Sequence, residues 1–409
     1  MSPNKNSSIV FVTDKFPWPL DDGGQIRTYQ ILKSLSAHFR VILVAVSPPF
    51  LNCEEPIRNL GVEIVKFSRT RPSWMMPFYL VSALFTRRPY PLPKNFSPEI
   101  LGEIRRRIHV GDVHALHLNH LDAAQYVEWL DGASSQVKIV FDTHNILTSL
   151  YAQLVRSERN VFRRGYCRVQ WRKMRSYEQT IMRKADCVVV CSEPEGQMLR
   201  DWGVRTGFVV PNGVDTQFFT PIPARLRLEG QPVHLVFTGA MDYLPNADGI
   251  RWFLGSVLPK LDGLAVRYKL TVVGKNPPAD LRAWEIPGKI EFTGRVEDVR
   301  PYTRSADVFV VPLQVGGGTR LKILESLAMQ VPVVSTRLGA VGLDLEDGIH
   351  LRLADDAATM AHAITELCAL PDRAQEMARR GRQKVLESYD WAAVTLPLCQ
   401  YYGKALSEN

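Results

Sequence analysis

The sequence contains few cysteines and no metal-binding motif. Six cysteines are spread over 409 residues, and none belongs to a C-x-x-C pair. This usage argues against a disulfide framework and a structural zinc site, and it fits a reducing cytoplasm. No D-x-D sequence occurs and the nine histidines are scattered, so we expect no metal.

Long hydrophobic runs are also absent. The longest, residues 75–85, is too short to span a bilayer, and the polar N-terminus has no apolar signal-peptide region. We therefore expect a cytoplasmic protein. Hydrophobic residues make up 45% of the chain and charged residues 22%, which is normal for a globular protein, and the length suggests two domains.

Negative charge is scarce in one region. The chain carries a net charge of +8, and between Arg156 and Arg175 eight arginines or lysines accompany a single acid, Glu158. Residues 156–175 are either a solvated helix face or a patch that contacts an anionic membrane, at its inner face, or a polyanionic acceptor. We expect no nucleic-acid partner, because no recognisable motif accompanies the charge.

Apolar runs alternate with helix-like stretches, which indicates an α/β protein with parallel sheets. The pattern restarts after residues 211–215, so we predict two doubly wound domains. The strands are expected at residues 8–13, 41–46, 113–118, 137–141, 187–191 and 207–210, and then at 233–237, 268–273, 290–292, 308–311 and 331–335.

A glycine-rich segment, residues 316–325, lies between a predicted strand and a predicted helix. Its glycines permit close approach of a phosphate, and a helix N-terminus attracts anions. Arg320 and Lys322 in the first turn oppose the helix dipole, a conflict that a bound diphosphate would remove. The alternative is a plain glycine turn, with Thr319 as the helix cap.

Glu325 follows one turn later among apolar neighbours. A carboxylate in such a place should be hydrogen-bonded, and the two hydroxyls of a ribose would satisfy it. A salt bridge or a solvent-facing turn of helix is the alternative.

These features occur together with other motifs, and the combination resembles the retaining, metal-independent family-4 glycosyltransferases of GT-B fold. Within that family the similarity is to bacterial sugar transferases of exopolysaccharide gene clusters. The matching segments are residues 210–215 (VPNGVD), 237–239 (FTG), 239–246 (GAMDYLPN), 272–274 (VVG), 292–294 (FTG), 306–312 (ADVFVVP), 317–325 (GGTRLKILE) and 331–334 (VPVV).

The resemblance implies two Rossmann-like domains facing each other across a cleft. Residues 1–215 would bind the acceptor, a sugar or lipid-linked sugar, and a helix at 389–409 would return to them. Residues 216–388 would bind the donor, a nucleotide-diphosphate sugar such as a UDP-sugar, as substrate and without a cofactor. The implied function is sugar transfer in polysaccharide or glycoconjugate assembly. A degenerate protein that binds without turnover and a sugar-nucleotide epimerase are the alternatives.

The resemblance also assigns donor-binding roles. Glu325 resembles the second acid of the E-x7-E motif, which holds the ribose, whereas Gly317 stands where the first acid would be. Relatives carry an Arg and a Lys in the loop that here reads Gly239-Ala-Met-Asp, so we expect Arg320 and Lys322 to supply that charge. The other expected donor contacts are Met241, Gly274, Arg295, Val296, Gly318 and Thr319.

Five residues of the N-terminal half have expected roles in the same reaction. Gly23 and Gly24 follow the first strand, and the resemblance implies a loop that closes over the diphosphate; a simple turn is the alternative. Arg27 would then contact a phosphate. His120 and His144 each follow a predicted strand and would position the donor sugar or the acceptor hydroxyl. His117 lies inside its strand and is expected in the core.

Overall fold

The structure is a computed structural model that describes residues 7–47, 54–68, 75–90, 92–130, 137–158, 160–204, 207–222, 230–316 and 320–407. Three predicted donor contacts, Gly317, Gly318 and Thr319, lie outside these residues. The chain divides into two compact units, each described separately below. Unit 1 comprises Met1–Pro211 and Thr395–Asn409, and unit 2 comprises Asn212–Val394.

The units meet in the sequence a few residues from the predicted boundaries. Unit 2 begins at Asn212, before Asp215, because the backbone N–H of Val214 donates to the carbonyl of Tyr389 over 2.8 Å. A Cβ on Gly213 would lie 2.8 Å from the same carbonyl, so the two segments pack tightly. The segment that belongs to unit 1 starts at Thr395 rather than at residue 389.

Unit 1 is built on a parallel sheet whose described strands follow the order β3-β2-β1-β4-β5-β6-β7. Central strands read as continuous apolar runs because helices cover both faces of a parallel sheet. The strands are β1 Ser8–Thr13, β2 Arg40–Val46, β3 Glu63–Phe67, β4 Ala115–Asn119, β5 Lys138–Asp142, β6 Cys187–Val190 and β7 Gly207–Val209.

Helices surround this sheet, and the longest has 24 residues. They are α1 Gly23–Ser36, α2 Glu55–Arg58, α3 Met76–Phe85, α4 Leu92–Asn95, α5 Pro98–Val110, α6 Leu121–Ala124, a 3₁₀ turn Gln125–Trp129, α7 Leu147–Ser157, α8 Val161–Lys184 and α9 Glu193–Asp201.

Unit 2 repeats the architecture with a parallel sheet of order β10-β9-β8-β11-β12-β13. Its strands are β8 Val233–Thr238, β9 Tyr268–Val273, β10 Ile290–Gly294, β11 Val308–Val311, β12 Val333–Ser335 and β13 Arg352–Leu353. Its helices are α10 Leu244–Trp252, a π-helical turn Phe253–Val257, α11 Leu258–Gly263, α12 Ala279–Arg282, α13 Arg300–Arg304, α14 Leu321–Ala328, α15 Ala357–Ala369 and α16 Pro371–Ser388, before α17 Trp391–Ala405.

Each sheet has a point where the strand order reverses, between β1 and β4 in unit 1 and between β8 and β11 in unit 2. Ligands of open α/β sheets bind beyond the carboxyl ends of the strands at this point. The loops that follow β1, β4 and β8 are therefore the places to look for functional side chains. No helix among the described residues is long and apolar enough to cross a membrane.

Two predicted site glycines, Gly239 and Gly274, lie back to back after β8 and β9. A Cβ on Gly274 would lie 1.8 Å from the carbonyl oxygen of Gly239, and the N–H of Gly239 donates to Val273 over 2.8 Å. Backbone cannot move aside as a flexible side chain does, so these two loops can approach only through glycine.

We predict that Gly274→Ala lowers the free energy of unfolding by at least about 4 kcal/mol or prevents folding. Gly255→Ala is the matched control, because Gly255 lies in a helical turn with open space at its Cβ position. It should change stability little or add up to about 1 kcal/mol. Denaturant unfolding of both variants measures this, and a Gly274→Ala protein as stable as the wild type would contradict the packing.

Candidate functional site

Lys322 is the central residue of a polar cluster in unit 2. Its Nζ donates to Asn246 Oδ1 over 2.9 Å and lies 3.9 Å from the centroid of the Phe237 ring. Asn246 is held in turn by a hydrogen bond to the carbonyl of Ala240. Burial strips water from the ammonium, and with the nearby charge of Arg320 it lowers the pKa of Lys322 to about 7.

Gly239 makes room for this lysine. Its φ of +152° is a conformation that favours glycine, and a Cβ there would lie 2.6 Å from Lys322 Nζ and 2.7 Å from Asn246 Nδ2. The ammonium therefore lies against the backbone of the loop that follows β8. This loop is where the resemblance implied diphosphate binding, and Lys322 brings to it the cation that the loop itself lacks.

Glu325 and Arg320 are the other charged groups of α14 near this cluster. Arg320 is buried at the start of the helix. The carboxyl of Glu325 has no hydrogen bond to another described residue, and desolvation raises its pKa to about 7 despite the opposing charge of Lys322. A carboxyl with unused acceptor capacity is what a ribose contact requires.

The remaining predicted donor contacts of unit 2 differ in what they offer a ligand. The Met241 side chain packs in the core at 1% exposure, so only its backbone is available. Val296 packs partly against the same core, and Arg295 beside it is exposed. Gly316, at φ +111°, precedes the residues that the structure does not describe.

His120 and His144 follow the carboxyl ends of β4 and β5 in unit 1, and Asn119, the last residue of β4, contacts His144. The hydroxyls of Thr13 and Thr28 each donate to a backbone carbonyl, so both must accept from the Asn119 amide, over 3.3 and 3.0 Å. The amide oxygen of Asn119 is left to accept, 2.9 Å from Nε2 of His144. Nε2 of His144 therefore carries the proton, and its Nδ1 is an acceptor.

His144 is neutral in this setting. Burial and the nearby charge of Arg27 outweigh Asp142 and lower the pKa of His144 to about 3. A Cβ on Gly24 would lie 3.4 Å from His144 Nδ1, so glycine leaves space in front of the acceptor nitrogen. A neutral imidazole with a fixed tautomer can accept a hydrogen bond from a substrate hydroxyl throughout the physiological pH range.

His120 has the opposite electrostatic environment. It adopts φ +74°, which is rare outside glycine, and its Nδ1 lies 3.4 Å from Asp122 Oδ2. Burial opposes the charged imidazole, but Asp122 and Asp14 outweigh it and raise the pKa of His120. Its ring meets that of His144 edge to face at 5.7 Å. His120 can thus donate hydrogen bonds as a charged imidazole, and neutral His144 beside it can accept one.

Asp14, His120 and Asp122 also form a group that could hold a metal ion, with one ligand atom from each lying within 4.8 Å of the others. The sequence led us to expect no metal. A cationic imidazole flanked by two carboxylates accounts for the same arrangement, since it neutralises one of the two negative charges.

The expectation for Arg27 was wrong. Arg27 is not free to bind phosphate, because it is 1% exposed and donates to Asp142 Oδ1 over 2.9 Å and to the Val210 carbonyl over 2.8 Å. Gly23 and Gly24 form the first turn of α1, which the Asp22 side chain caps, rather than the expected loop, and their contact with the diphosphate stays a prediction. The Arg27 guanidinium holds the pKa of buried Asp142 well below its usual range although burial opposes this.

His117 lies in the core, stacked on Phe11 at 4.3 Å and hydrogen-bonded to the Tyr402 hydroxyl. Three residues of the two clusters, Asn119, Asn246 and Phe237, were not predicted from the sequence. Only Asn119 left a local signal, as a polar residue that ends an apolar strand directly before His120.

Two family profiles match this chain. Residues 22–218 match the profile described as "Glycosyltransferase Family 4", and residues 232–369 match "Glycosyl transferases group 1". A phosphatidyl-myo-inositol mannosyltransferase of Mycolicibacterium smegmatis is 26% identical over 372 residues, covering 86% of this chain and 88% of the relative.

Solved structures share the fold. Sucrose-phosphate synthase of Thermosynechococcus elongatus superposes with a TM-score of 0.70 at 17% identity, over 98% of this chain and 100% of that one. HepE of Anabaena in complex with UDP and glucose gives 0.66 at 13% identity with the same coverage. The fold is GT-B. The chain belongs to the family-4 glycosyltransferases and is a glycosyltransferase enzyme, as the motifs predicted.

The tautomer of His144 is testable. We predict that its pKa lies near 3 in the wild type and that it carries its proton on Nε2. Asn119→Asp would place a carboxylate against Nε2 and should raise that pKa by 1–3 units (about 1.4 kcal/mol per unit). ¹⁵N-histidine NMR titration measures both properties.

Asn145→Asp is the control, because it adds the same charge at an exposed neighbouring position. It should leave the His144 titration nearly unchanged. A wild-type His144 that titrates near its ordinary value, or that is protonated on Nδ1, would contradict the network.

Proposed function

We propose that the protein transfers a sugar from a nucleotide-diphosphate donor to an acceptor hydroxyl, with retention and without a metal. The observation that carries the proposal is Lys322, whose ammonium lies against Gly239 at the carboxyl end of β8. No carboxylate of the described residues lies within salt-bridge distance of it, so an anionic ligand would relieve its unfavourable burial.

The donor is assigned to unit 2. Lys322 would hold the diphosphate together with Arg320, the Gly239 backbone would approach it closely, and Glu325 would accept from the ribose hydroxyls. These roles need two cations at the start of a helix and one carboxylate a turn later, which is the arrangement of Arg320, Lys322 and Glu325 at α14. The mannosyl transfer named for the mycobacterial relative supports sugar transfer, and the UDP bound by HepE supports a nucleotide-diphosphate donor.

In the proposed reaction the bond from the anomeric carbon to the diphosphate breaks and a bond to the acceptor oxygen forms on the same face. The acceptor proton passes to the departing diphosphate, so no protein nucleophile is needed. The protein contributes orientation and positive charge. His144 Nδ1 would accept from a sugar or acceptor hydroxyl, and His120 would donate to one.

The acceptor is proposed to be a sugar or lipid-linked sugar in polysaccharide or glycoconjugate assembly. The relative's name supports a lipid-borne acceptor, and the resemblance to exopolysaccharide transferases supports a glycan one. Incubation with UDP- and GDP-sugars tests the reaction class, because slow hydrolysis or transfer is expected with one of them. Nucleotide binding without any turnover would favour the degenerate-protein alternative, and interconversion of free donor sugars would favour an epimerase.

We predict that Lys322→Met weakens binding of UDP or GDP by 10–100-fold, since a charge-assisted hydrogen bond contributes about 1.5–3 kcal/mol. The ligand-free variant should melt no lower than the wild type, because the change removes a desolvated charge. Calorimetric titration and thermal melting measure the two effects. Lys275→Met, an exposed lysine of the neighbouring loop, is the control and should bind as the wild type does. Equal affinity in both variants would overturn the assignment.

Nucleotide binding should also change the number of protons that the protein holds, with uptake above pH 7 and release below it. Lys322 and Glu325 both have a pKa of about 7 in the free protein. A bound diphosphate favours charged Lys322, so protons are taken up at about pH 8, and affinity falls as the pH rises above 7. Ribose hydroxyls favour ionised Glu325, so protons are released at about pH 6.

Calorimetry in buffers of different ionisation enthalpy counts these protons. Glu325→Gln should abolish the release at low pH and keep the uptake at high pH. Proton exchange that is absent at both values would show that neither group contacts the nucleotide.

A further inference from the structure

Helix α3 presents an unpartnered apolar face in unit 1. Tyr79 and Ala83 pack inward, whereas Phe78, Val81 and Phe85 point outward at helical spacing and are 65%, 55% and 85% exposed. Single exposed apolar residues are ordinary, but a face of large ones is typical of a contact surface. This face needs an occupant that the described residues do not supply.

Helix α8 adds positive charge and further apolar side chains. It contains eight arginines and lysines and a single acid, Glu178, which is buried and accepts from the N-terminus of α7 at Leu147 and Thr148. Phe162 is 90% exposed. Four exposed arginines have no ion-pair partner among the described residues; these are Arg163, Arg168, Arg172 and Arg175.

The two helices lie side by side, so their exposed faces adjoin. Lys173 of α8 donates to the carbonyls of Ala83, Leu84 and Thr86 at the end of α3, each within 2.8 Å. Gln170 donates to Ala83 as well, one turn before Lys173. We call the combined face the α3–α8 surface; it consists of Phe78, Val81, Leu84, Phe85, Phe162, Val169, Arg168, Arg172 and Arg175.

We propose that the α3–α8 surface binds the protein to the surface of an anionic lipid membrane. Apolar side chains ringed by arginines fit the boundary between acyl chains and phosphate head groups. Many exposed arginines of unit 2 pair with carboxylates, as Arg379 does with Glu376 and Arg282 with Glu285. Within the described part of the chain, the exposed arginines of α8 have no such acid, and this charge complements lipid phosphate. A solvated helix face alone would not place Phe85 and Phe162 in water.

Sedimentation with vesicles tests the proposal on the full chain without any activity assay. We expect binding to phosphatidylglycerol–phosphatidylcholine vesicles, little binding to pure phosphatidylcholine, and loss of binding at about 1 M salt, where charges are screened beyond ~3 Å. Each arginine near the surface is expected to contribute about fivefold to the partition coefficient. Changing Arg168, Arg172 and Arg175 to Gln should therefore weaken it at least tenfold.

Matched variants separate this surface from general charge and hydrophobicity. The charge control changes three exposed arginines of unit 2 to Gln, namely Arg282, Arg337 and Arg373. Phe85→Ser with Phe162→Ser should also reduce binding, whereas Trp284→Ser with Leu244→Ser in unit 2 should not. Absence of vesicle binding by the folded wild type, or equal losses in the α8 and unit 2 variants, would overturn the proposal.

Discussion

The polar cluster of unit 2, which we propose as the donor site, depends on one enclosed ammonium. Lys322 lies over the face of Phe237 and donates to Asn246, in a space that exists because residue 239 is glycine. Desolvation disfavours its charge, and no carboxylate within salt-bridge distance among the described residues compensates for it. The free protein therefore holds a poorly stabilised cation at the carboxyl end of its central strand. A diphosphate placed there would exchange an electrostatic cost for an attraction, which is how binding energy can become specific for a charged donor.

In unit 1, buried charged groups set the charge states of His144 and His120. A Cβ on Gly24 would lie 3.4 Å from His144 Nδ1, which is a looser contact than the 2.6 Å between a Cβ on Gly239 and Lys322 Nζ. The buried Arg27–Asp142 ion pair lies behind the imidazoles, and Arg27 helps to keep His144 neutral. Replacing a buried ion pair by apolar groups of similar volume often leaves the stability unchanged or increases it. We therefore attribute the importance of this pair to its electrostatic effect on His144. Neutral His144 and the acid-flanked His120 can then act differently on one class of hydroxyl ligand.

Much of the fold was predictable because buried parallel strands are apolar throughout. Three strands, Ser8–Thr13, Tyr268–Val273 and Val308–Val311, have the predicted bounds. Strand Glu63–Phe67 was missed because its polar residues are those of a partly exposed edge. The position of Lys322 in the first turn of a helix could be predicted from the neighbouring residues alone. Its contact with Asn246 joins residues 76 apart in sequence, and the Arg27–Asp142 pair joins residues 115 apart, so neither is encoded in a local pattern.

A crystal structure of the protein with UDP or GDP tests the role of Lys322 most directly. We expect a diphosphate oxygen within hydrogen-bonding distance of Lys322 Nζ, next to the backbone of Gly239, and the ribose hydroxyls on Glu325. A nucleotide bound elsewhere, with Lys322 still occupied only by Asn246 and the Phe237 ring, would contradict it.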